Sequence, residues 1–174
     1  TAMAVAEQQR SQQVLAFVTS IFRDADPYKS TQRTNLLSLL VGSRARLDRE
    51  FGEQPLVRAE LLIVVAETLV GVQQEVKAEE AAAAALAALD GLVAAHHPLP
   101  VRARLTLVEA HFYRDQFVAA RQQLQQVLRL VDADPIGLGP QRLAALSLLA
   151  HLQVEENLLD EGERTGRAAL QWLE

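Results

Sequence analysis

The sequence lacks cysteine, is poor in aromatic residues and has no long uninterrupted apolar run. Without cysteine the chain can form no disulfide, thiolate zinc site, iron–sulfur cluster or cysteine nucleophile, and this absence fits cytoplasm and periplasm equally. The longest apolar run, residues 61–72, is interrupted by Glu67 and is too short for a bilayer about 30 Å thick. We therefore expect no thiol chemistry and no membrane contact by this fragment.

The charge balance is acidic, with 22 acidic and 17 basic residues and a formal net charge of −5. The basic residues are nearly all arginine and are spread along the chain, so nucleic acid is not an expected partner. Hydrophobic residues make up 49% of the chain but aromatics only 5%, because alanine, leucine and valine dominate. This composition is typical of helices joined by short turns and predicts an all-α fold.

Turn-forming residues divide the chain into eight segments of helical length. The breaks fall at residues 24–31, 51–55, 71–75, 96–100, 114–116, 132–140 and 155–160. Pro27, Pro55, Pro100 and Pro140 stand at or just before segment starts, and Thr34 is a plausible N-cap. Because most connections are short, we expect about eight helices packed as antiparallel neighbours.

The sequence is similar to itself at a fixed offset, which is the spacing from Ala78 to Ala120 and from Ala120 to Gly162. These small residues stand where two helices of a hairpin have to approach closely. Other sets at this 42-residue offset are Ala66 with Val108 and Ala150, Val70 with Phe112 and Val154, Ala85 with Val127 and Ala169, and Leu86 with Leu128 and Leu170. We expect a helix pair over residues 1–54 as lead-in and cap, followed by three hairpins over residues 55–174.

The spacing of Ala66, Ala78 and Ala85, with Phe117 three residues before the equivalent Ala120, resembles the tetratricopeptide repeat over residues 59–173. The period of 42 is longer than the usual period of about 34 residues, which implies longer helices. The resemblance implies antiparallel hairpins stacked as a right-handed superhelix.

A second resemblance covers residues 15–62. "LAFVTSIFRDADP" followed by "TNLLSLLVGSRARLDREFGEQPLVRAELL" is similar to the segment that precedes the repeats in bacterial serine/threonine protein kinases with C-terminal repeat regions. A similar arrangement occurs behind winged-helix regulators with a transmembrane segment. The sequence has no Gly-rich loop, HRD or DFG motif, so the resemblance to the kinases implies a non-catalytic arm. Because the chain begins "TAMAVAEQQ", we expect a piece of a longer protein, whose other parts would decide the compartment.

Four histidines are candidate metal ligands: His96, His97, His111 and His151. Adjacent histidines on a helix point about 100° apart, and no recognised ligand spacing is present. The sequence favours His96 and His97 as cations at a helix C-terminus.

Two other patterns resemble ligand loops. Residues 132–137, "DADPIG", start like a calcium loop but lack the acidic twelfth residue, so we expect the aspartates to serve the turn around Pro135. Residues 137–139 form a lone GxG without a preceding strand. Adjacent glutamates, as at residues 79–80 and 155–156, do not share a helix face and are interpreted as solvated surface. The sequence thus predicts no catalytic residue, no metal and no cofactor.

The tetratricopeptide resemblance implies a concave surface lined by the first helix of each hairpin. Its positions in this sequence, the inner row, are Glu60, Ile63, Glu67, Val70, Gly71, Arg102, Leu105, Glu109, Phe112, Tyr113, Ala144, Ser147, His151, Val154 and Glu155. A mixture of apolar and charged side chains suits a peptide groove. The predicted partner-binding residues are Glu67, Arg102, Glu109, Phe112 and His151. The alternative is that the aromatic and aliphatic members are core between helix layers.

These observations predict a non-enzymatic domain that binds a protein or peptide, as a regulatory or scaffolding arm of a bacterial serine/threonine kinase-like protein. Three alternatives stay open at this point. The chain could be the sensor or oligomerisation part of a membrane-anchored winged-helix regulator, a homo-oligomerisation module whose groove is filled by its own copy, or a small-ligand sensor.

Overall fold

A computed structural model describes residues 2–24 and 36–171. These residues form eight helices and no strand, which confirms the all-α prediction. The helices are α1 (Ala2–Asp24), α2 (Leu36–Glu50), α3 (Pro55–Gly71), α4 (Glu75–Leu89), α5 (Pro98–Phe112), α6 (Phe117–Ala133), α7 (Gly139–Glu155) and α8 (Leu159–Gln171). The predicted N-cap Thr34 and the break at Pro27 lie outside the described residues.

The last six helices form three hairpins, α3 with α4, α5 with α6 and α7 with α8. Each hairpin starts with a proline in the first two helical positions, where the missing N–H has no partner to lose. The three connections within the hairpins are only a few residues long, so the two helices of each hairpin are antiparallel. The predicted breaks at residues 71–75, 114–116 and 155–160 are therefore confirmed.

The three hairpin turns have the same backbone conformation at equivalent positions of the repeat. Gln73, Asp115 and Asn157 have left-handed φ values of 58°, 57° and 61°. In each turn the following residue donates its N–H to the carbonyl five residues back, at 2.7–2.9 Å, and the left-handed residue donates to the carbonyl three residues back, at 2.9–3.0 Å. This pattern is the Schellman motif, which satisfies carbonyls at the end of the helix. The turns thus confirm the predicted period.

Small residues lie where the paired helices approach each other. Ala78, Ala120 and Gly162 are all buried. In the last hairpin a Cβ on Gly162 would lie 3.0 Å from a methyl group of Val154 and 3.2 Å from the carbonyl oxygen of Ala150. Because that space is closed, the position takes glycine in the third hairpin and alanine in the other two.

The burial pattern of the second helices extends back into α2. At the same repeat interval the buried residues are Leu40, Ala82 and Leu124, then Ser43, Ala85 and Val127, then Leu47, Leu89 and Val131. The buried hydroxyl of Ser43 donates to the carbonyl of Leu40 at 2.6 Å, so its polarity is satisfied. The helix that sequence analysis assigned to a lead-in and cap therefore carries the burial pattern of a second helix.

Helix α1 is held to the rest of the fold mainly by Phe17. This buried ring meets Phe51 edge to face at 5.7 Å between centroids, and the guanidinium of Arg46 lies 5.0 Å from the Phe17 centroid. Ile21 is buried in the same apolar cluster, which continues through α2, α3 and α4 into α5. A second cluster joins α5, α6 and α7.

Ion pairs between neighbouring hairpins also repeat. Glu79 on α4 pairs with Arg114 in the next hairpin turn, and Arg121 on α6 pairs with Glu156 in the turn after that. Arg121 stands one repeat after Glu79, and Glu156 stands one repeat after Arg114, so the second pair occupies the same positions as the first with the two charges exchanged. The packing of α4 on the second hairpin is thus repeated by α6 on the third.

We expect Gln73→Gly to raise the free energy of unfolding by about 0.5–1 kcal/mol, because glycine takes the left-handed conformation without a steric penalty from Cβ. Urea denaturation followed by circular dichroism measures the change. The matched control is Gln125→Gly, at an exposed position within α6, which should lower stability by about 0.5–1 kcal/mol. A loss of stability in Gln73→Gly would contradict the turn geometry.

The exchanged ion pair allows a second test. Glu79→Arg should lower the free energy of unfolding by about 0.5–1 kcal/mol, because it brings two guanidinium groups together. Adding Arg114→Glu creates the charge order of the second pair, so the double variant should return to within about 0.3 kcal/mol of the wild type. Additive losses in the double variant would show that the two positions do not interact.

Candidate interaction surface

The first helices of the three hairpins lie side by side, with α5 in contact with both α3 and α7. The five predicted partner-binding residues are distributed across these helices. Glu67 is on α3, Arg102, Glu109 and Phe112 are on α5, and His151 is on α7. We call the side of α3, α5 and α7 that carries these residues the first-helix face.

Glu67 and Arg102 bind each other. The Arg102 Nε donates to Glu67 Oε1 at 3.1 Å and Nη2 donates to Oε2 at 2.8 Å, which is a bidentate pair between α3 and α5. Both side chains are partly exposed, so the pair contributes at most about 1 kcal/mol to stability. Sequence analysis treated the two residues as independent charges, whereas in the structure each neutralises the other.

Glu109 is a half-buried carboxylate in the middle of the first-helix face. Burial raises its pKa above the ordinary glutamate value, and the negative charge of Glu67 raises this pKa further. Within residues 2–24 and 36–171, its side chain takes part in no salt bridge and no hydrogen bond. Of the three charged residues predicted here, Glu109 is thus the one that has not been neutralised.

An aromatic cluster lies one turn along α5 from Glu109. Phe112 is half-buried and its ring centroid lies 5.6 Å from that of Tyr113, 5.7 Å from Phe117 and 6.2 Å from His151. Tyr113 is 62% exposed and His151 is also exposed. The structure therefore brings together the predicted residues Phe112 and His151, and it adds Tyr113 as the more accessible ring.

Other positions of the inner row belong to the core. Ile63 is fully buried, and Leu105 and Val70 are nearly so. For these three residues the alternative interpretation, core between helix layers, is correct. The hydrophobic character of these three positions did not distinguish them from Tyr113, because exposure depends on how each first helix is rotated against its neighbours.

His97 has a different role from the one predicted. It is the N-cap of α5, and its Nδ1 accepts a hydrogen bond from the N–H of Leu99 at 3.2 Å. Burial lowers the pKa of His97, and the nearby positive charge of Arg10 lowers it further. The prediction of a cation at a helix C-terminus was wrong for this residue, because an accepting Nδ1 requires the neutral ring.

The remaining candidate sites have structural explanations. In the "DADPIG" stretch Asp134 Oδ1 accepts from the N–H of Gly137 at 2.9 Å, which confirms that this aspartate serves the turn. His111 Nδ1 lies 2.9 Å from Gln116 Oε1 within the second hairpin. In the part of the chain that the structure describes, no group of three or more metal-ligating side chains is arranged to hold an ion.

Comparison of the chain with protein-family models, with curated proteins and with solved structures finds no match to any of them. None of the helices from α1 to α8, as far as they are described, is long and apolar enough to cross a membrane.

The raised pKa of Glu109 makes a pH-dependent prediction. A carboxyl group whose pKa is higher in the folded state stabilises the fold at low pH, and this contribution is lost as the pH rises through the folded pKa. The side chain of the Glu109→Gln variant is neutral at every pH, so this variant does not lose that contribution as the pH rises. We expect this variant to be more stable than the wild type at about pH 7, and the difference to shrink towards about pH 4.

Urea denaturation of both proteins across this pH range measures the difference. The control is Glu155→Gln, which removes an exposed carboxylate at the end of α7 and should change stability little at any pH. If Glu109→Gln destabilises the protein at neutral pH, the carboxylate has a stabilising partner and its description here is wrong.

Proposed function

We propose that this chain is a non-catalytic helical repeat domain that binds a protein or peptide on its first-helix face. In this proposal the hairpins stack as a tetratricopeptide-like right-handed superhelix, and the first helices line its concave side. The domain acts as a regulatory or scaffolding arm of a bacterial serine/threonine kinase-like protein. The assignment to such an arm rests on the resemblance of residues 15–62 alone.

The repeated register supports the stacked arrangement. Turns, close contacts and ion pairs between hairpins all return with the same period. Repeats that contact only their neighbours present equivalent helices as a continuous surface, and repeat proteins use such surfaces to bind extended partners.

The observation that carries the proposal is the exposed group on the first-helix face. Tyr113 and His151 are accessible beside Phe112, and the Glu109 carboxylate lacks a cation among the described residues. An accessible aromatic next to unneutralised charge is the composition of a protein interface, where aromatic anchors supply affinity and charges supply orientation. The group spans α5 and α7, so a ligand that contacts all of it has to extend across two hairpins.

The cavities favour an extended partner over a small ligand. Two apolar pockets lie around Leu40 and Val65, at the contact of α2 and α3, with volumes of about 20 and 110 Å³. Sites for small molecules usually have about 300–1,000 Å³ and enclose the ligand. Larger spaces of about 310, 490 and 620 Å³ are open to solvent and do not enclose a ligand, and the last of them, next to Tyr113 and Gln73, suits a segment of chain.

Self-association is a second candidate function, and one observation favours it. The last hairpin exposes large apolar side chains at Val154, Leu159 and Leu170, at 48%, 59% and 64%. Leu86 and Leu128, which occupy the position of Leu170 in the two earlier hairpins, are half-buried. Multi-angle light scattering of the purified chain at micromolar concentrations distinguishes a monomer, as proposed here, from a homo-oligomer.

The binding proposal predicts that Tyr113→Ala weakens capture of the partner at least about tenfold, because an exposed aromatic anchor carries about 2 kcal/mol or more of an interface. The immobilised chain is incubated with a lysate of the source organism, and the captured proteins are quantified by mass spectrometry. The helical spectrum and melting temperature should be nearly unchanged, since the side chain is largely exposed.

The matched control is Ile136→Ala. Ile136 is 90% exposed and precedes α7, whereas Tyr113 follows α5, so the two residues lie at opposite ends of these parallel helices. Capture should survive this change. Loss of capture in Ile136→Ala together with full capture in Tyr113→Ala would rule out the first-helix face as the binding surface.

A further inference from the structure

The repeat makes Glu109 equivalent to Glu67, which has a cation. Glu67 on α3 binds Arg102 of the next hairpin in a bidentate ion pair. The residue one repeat after Arg102 is Ala144 on α7. The repeat therefore places Ala144 next to Glu109, in the position that Arg102 takes next to Glu67.

The packing of α7 on α5 supports this equivalence. The left-handed residues Asp115 and Asn157 place the ends of the two helices in the same register. Buried residues also correspond, because Ala103 and Ala145 are both fully buried, one position after Arg102 and Ala144 respectively. The methyl group of Ala144 is too short to reach a carboxylate, so this residue supplies no counterpart of the Arg102 guanidinium.

The missing arginine leaves the Glu109 carboxylate without a counterpart of the Glu67–Arg102 pair. This carboxylate is half-buried beside Glu67, and no arginine or lysine of the described residues pairs with it. A carboxylate that is partly removed from water without a counter-ion destabilises the fold, and a cation delivered to it recovers that cost. Such a position has more to gain from a charged ligand than a fully solvated carboxylate.

The chain also shows that a segment outside the hairpins can bring a cation to a glutamate on a first helix. Arg10 of α1, which lies outside the three hairpins, places its Nε 2.9 Å from Oε2 of Glu60 near the start of α3. Both side chains are largely buried there. A helix laid along the first helices can therefore deliver an arginine to a glutamate of this face.

We infer that the position between Glu109 and Ala144 receives an arginine or lysine side chain from a partner polypeptide. This inference rests on the proposed function and names the chemistry of the partner: a segment that presents one basic residue next to an apolar one. The apolar residue contacts Tyr113 and Phe112, one turn from Glu109. The net charge of −5 adds a general attraction for a basic segment.

The geometry can be tested without any partner. Ala144→Arg should supply the missing cation from within the chain, as Arg102 does for Glu67. We expect a higher urea midpoint than in the control Gln122→Arg, which adds the same charge at an exposed position of α6. The gain should vanish in Ala144→Arg combined with Glu109→Gln. If it persists there, or if the two arginine variants are equally stable, the position does not exist and the inference is overturned.

The partner chemistry is tested with a random peptide library displayed on phage and selected on the immobilised full chain. Synthetic copies of the selected peptides are then titrated by fluorescence anisotropy. We expect a shared basic residue beside an apolar one, and a loss of affinity of about tenfold or more with both Glu109→Gln and Ala144→Arg. The control Gln122→Arg should change affinity less than about threefold.

The other outcomes separate this inference from the proposed function. Peptides that lose affinity with Tyr113→Ala but keep it with Glu109→Gln overturn the cation position and leave binding on the first-helix face intact. A library without any binder counts against the proposed function and the inference together. Self-association that Ala144→Arg abolishes would mean that the cation comes from a second copy, which overturns the assignment to a separate partner.

Discussion

The close approach of two helices at one small residue is the contact on which each hairpin depends. At Ala78, Ala120 and Gly162 the side chain is small enough for the partner helix to pack against the backbone. That contact sets how far one helix is shifted along the other, and the left-handed turn next to it sets how the chain reverses. Because both features return once in every repeat, successive hairpins acquire the same shape and can stack in the same way.

The stacking register decides which charges meet. Three ion pairs join one hairpin to the next, and their members have the same separation in sequence. They are Glu67–Arg102, Glu79–Arg114 and Arg121–Glu156. These partly exposed pairs add little stability individually. Their larger consequence is selective neutralisation, since a charged residue with a partner in the next hairpin is satisfied and one opposite alanine is not. Burial and the nearby negative charge of Glu67 raise the pKa of Glu109, and no cation of the described residues offsets them.

The residues that hold the helices together are therefore separate from those that we propose bind a partner. In α4, the second helix of the first hairpin, most of the buried residues are alanine. The first helices have one buried side, which holds Ile63 and Leu105, and another side that carries charge and aromatic rings. An interaction on the exposed side can change through substitutions that leave the helix contacts intact, which is the usual arrangement in repeat proteins.

The sequence by itself determined the helical class, the hairpin turns and the repeat period, because each of these depends on local turn chemistry or on regular spacing of small residues. It did not find the end of α4, which lies at Leu89 and not at the predicted break over residues 96–100. Four of the five predicted partner-binding residues meet in two contacts of the structure, Glu67 with Arg102 and Phe112 with His151. The sequence did not show that Glu67 is neutralised, that Tyr113 is more exposed than Phe112, or that α2 shares the repeat burial. Those facts depend on the shift and rotation of helices from different hairpins, and only tertiary packing decides them.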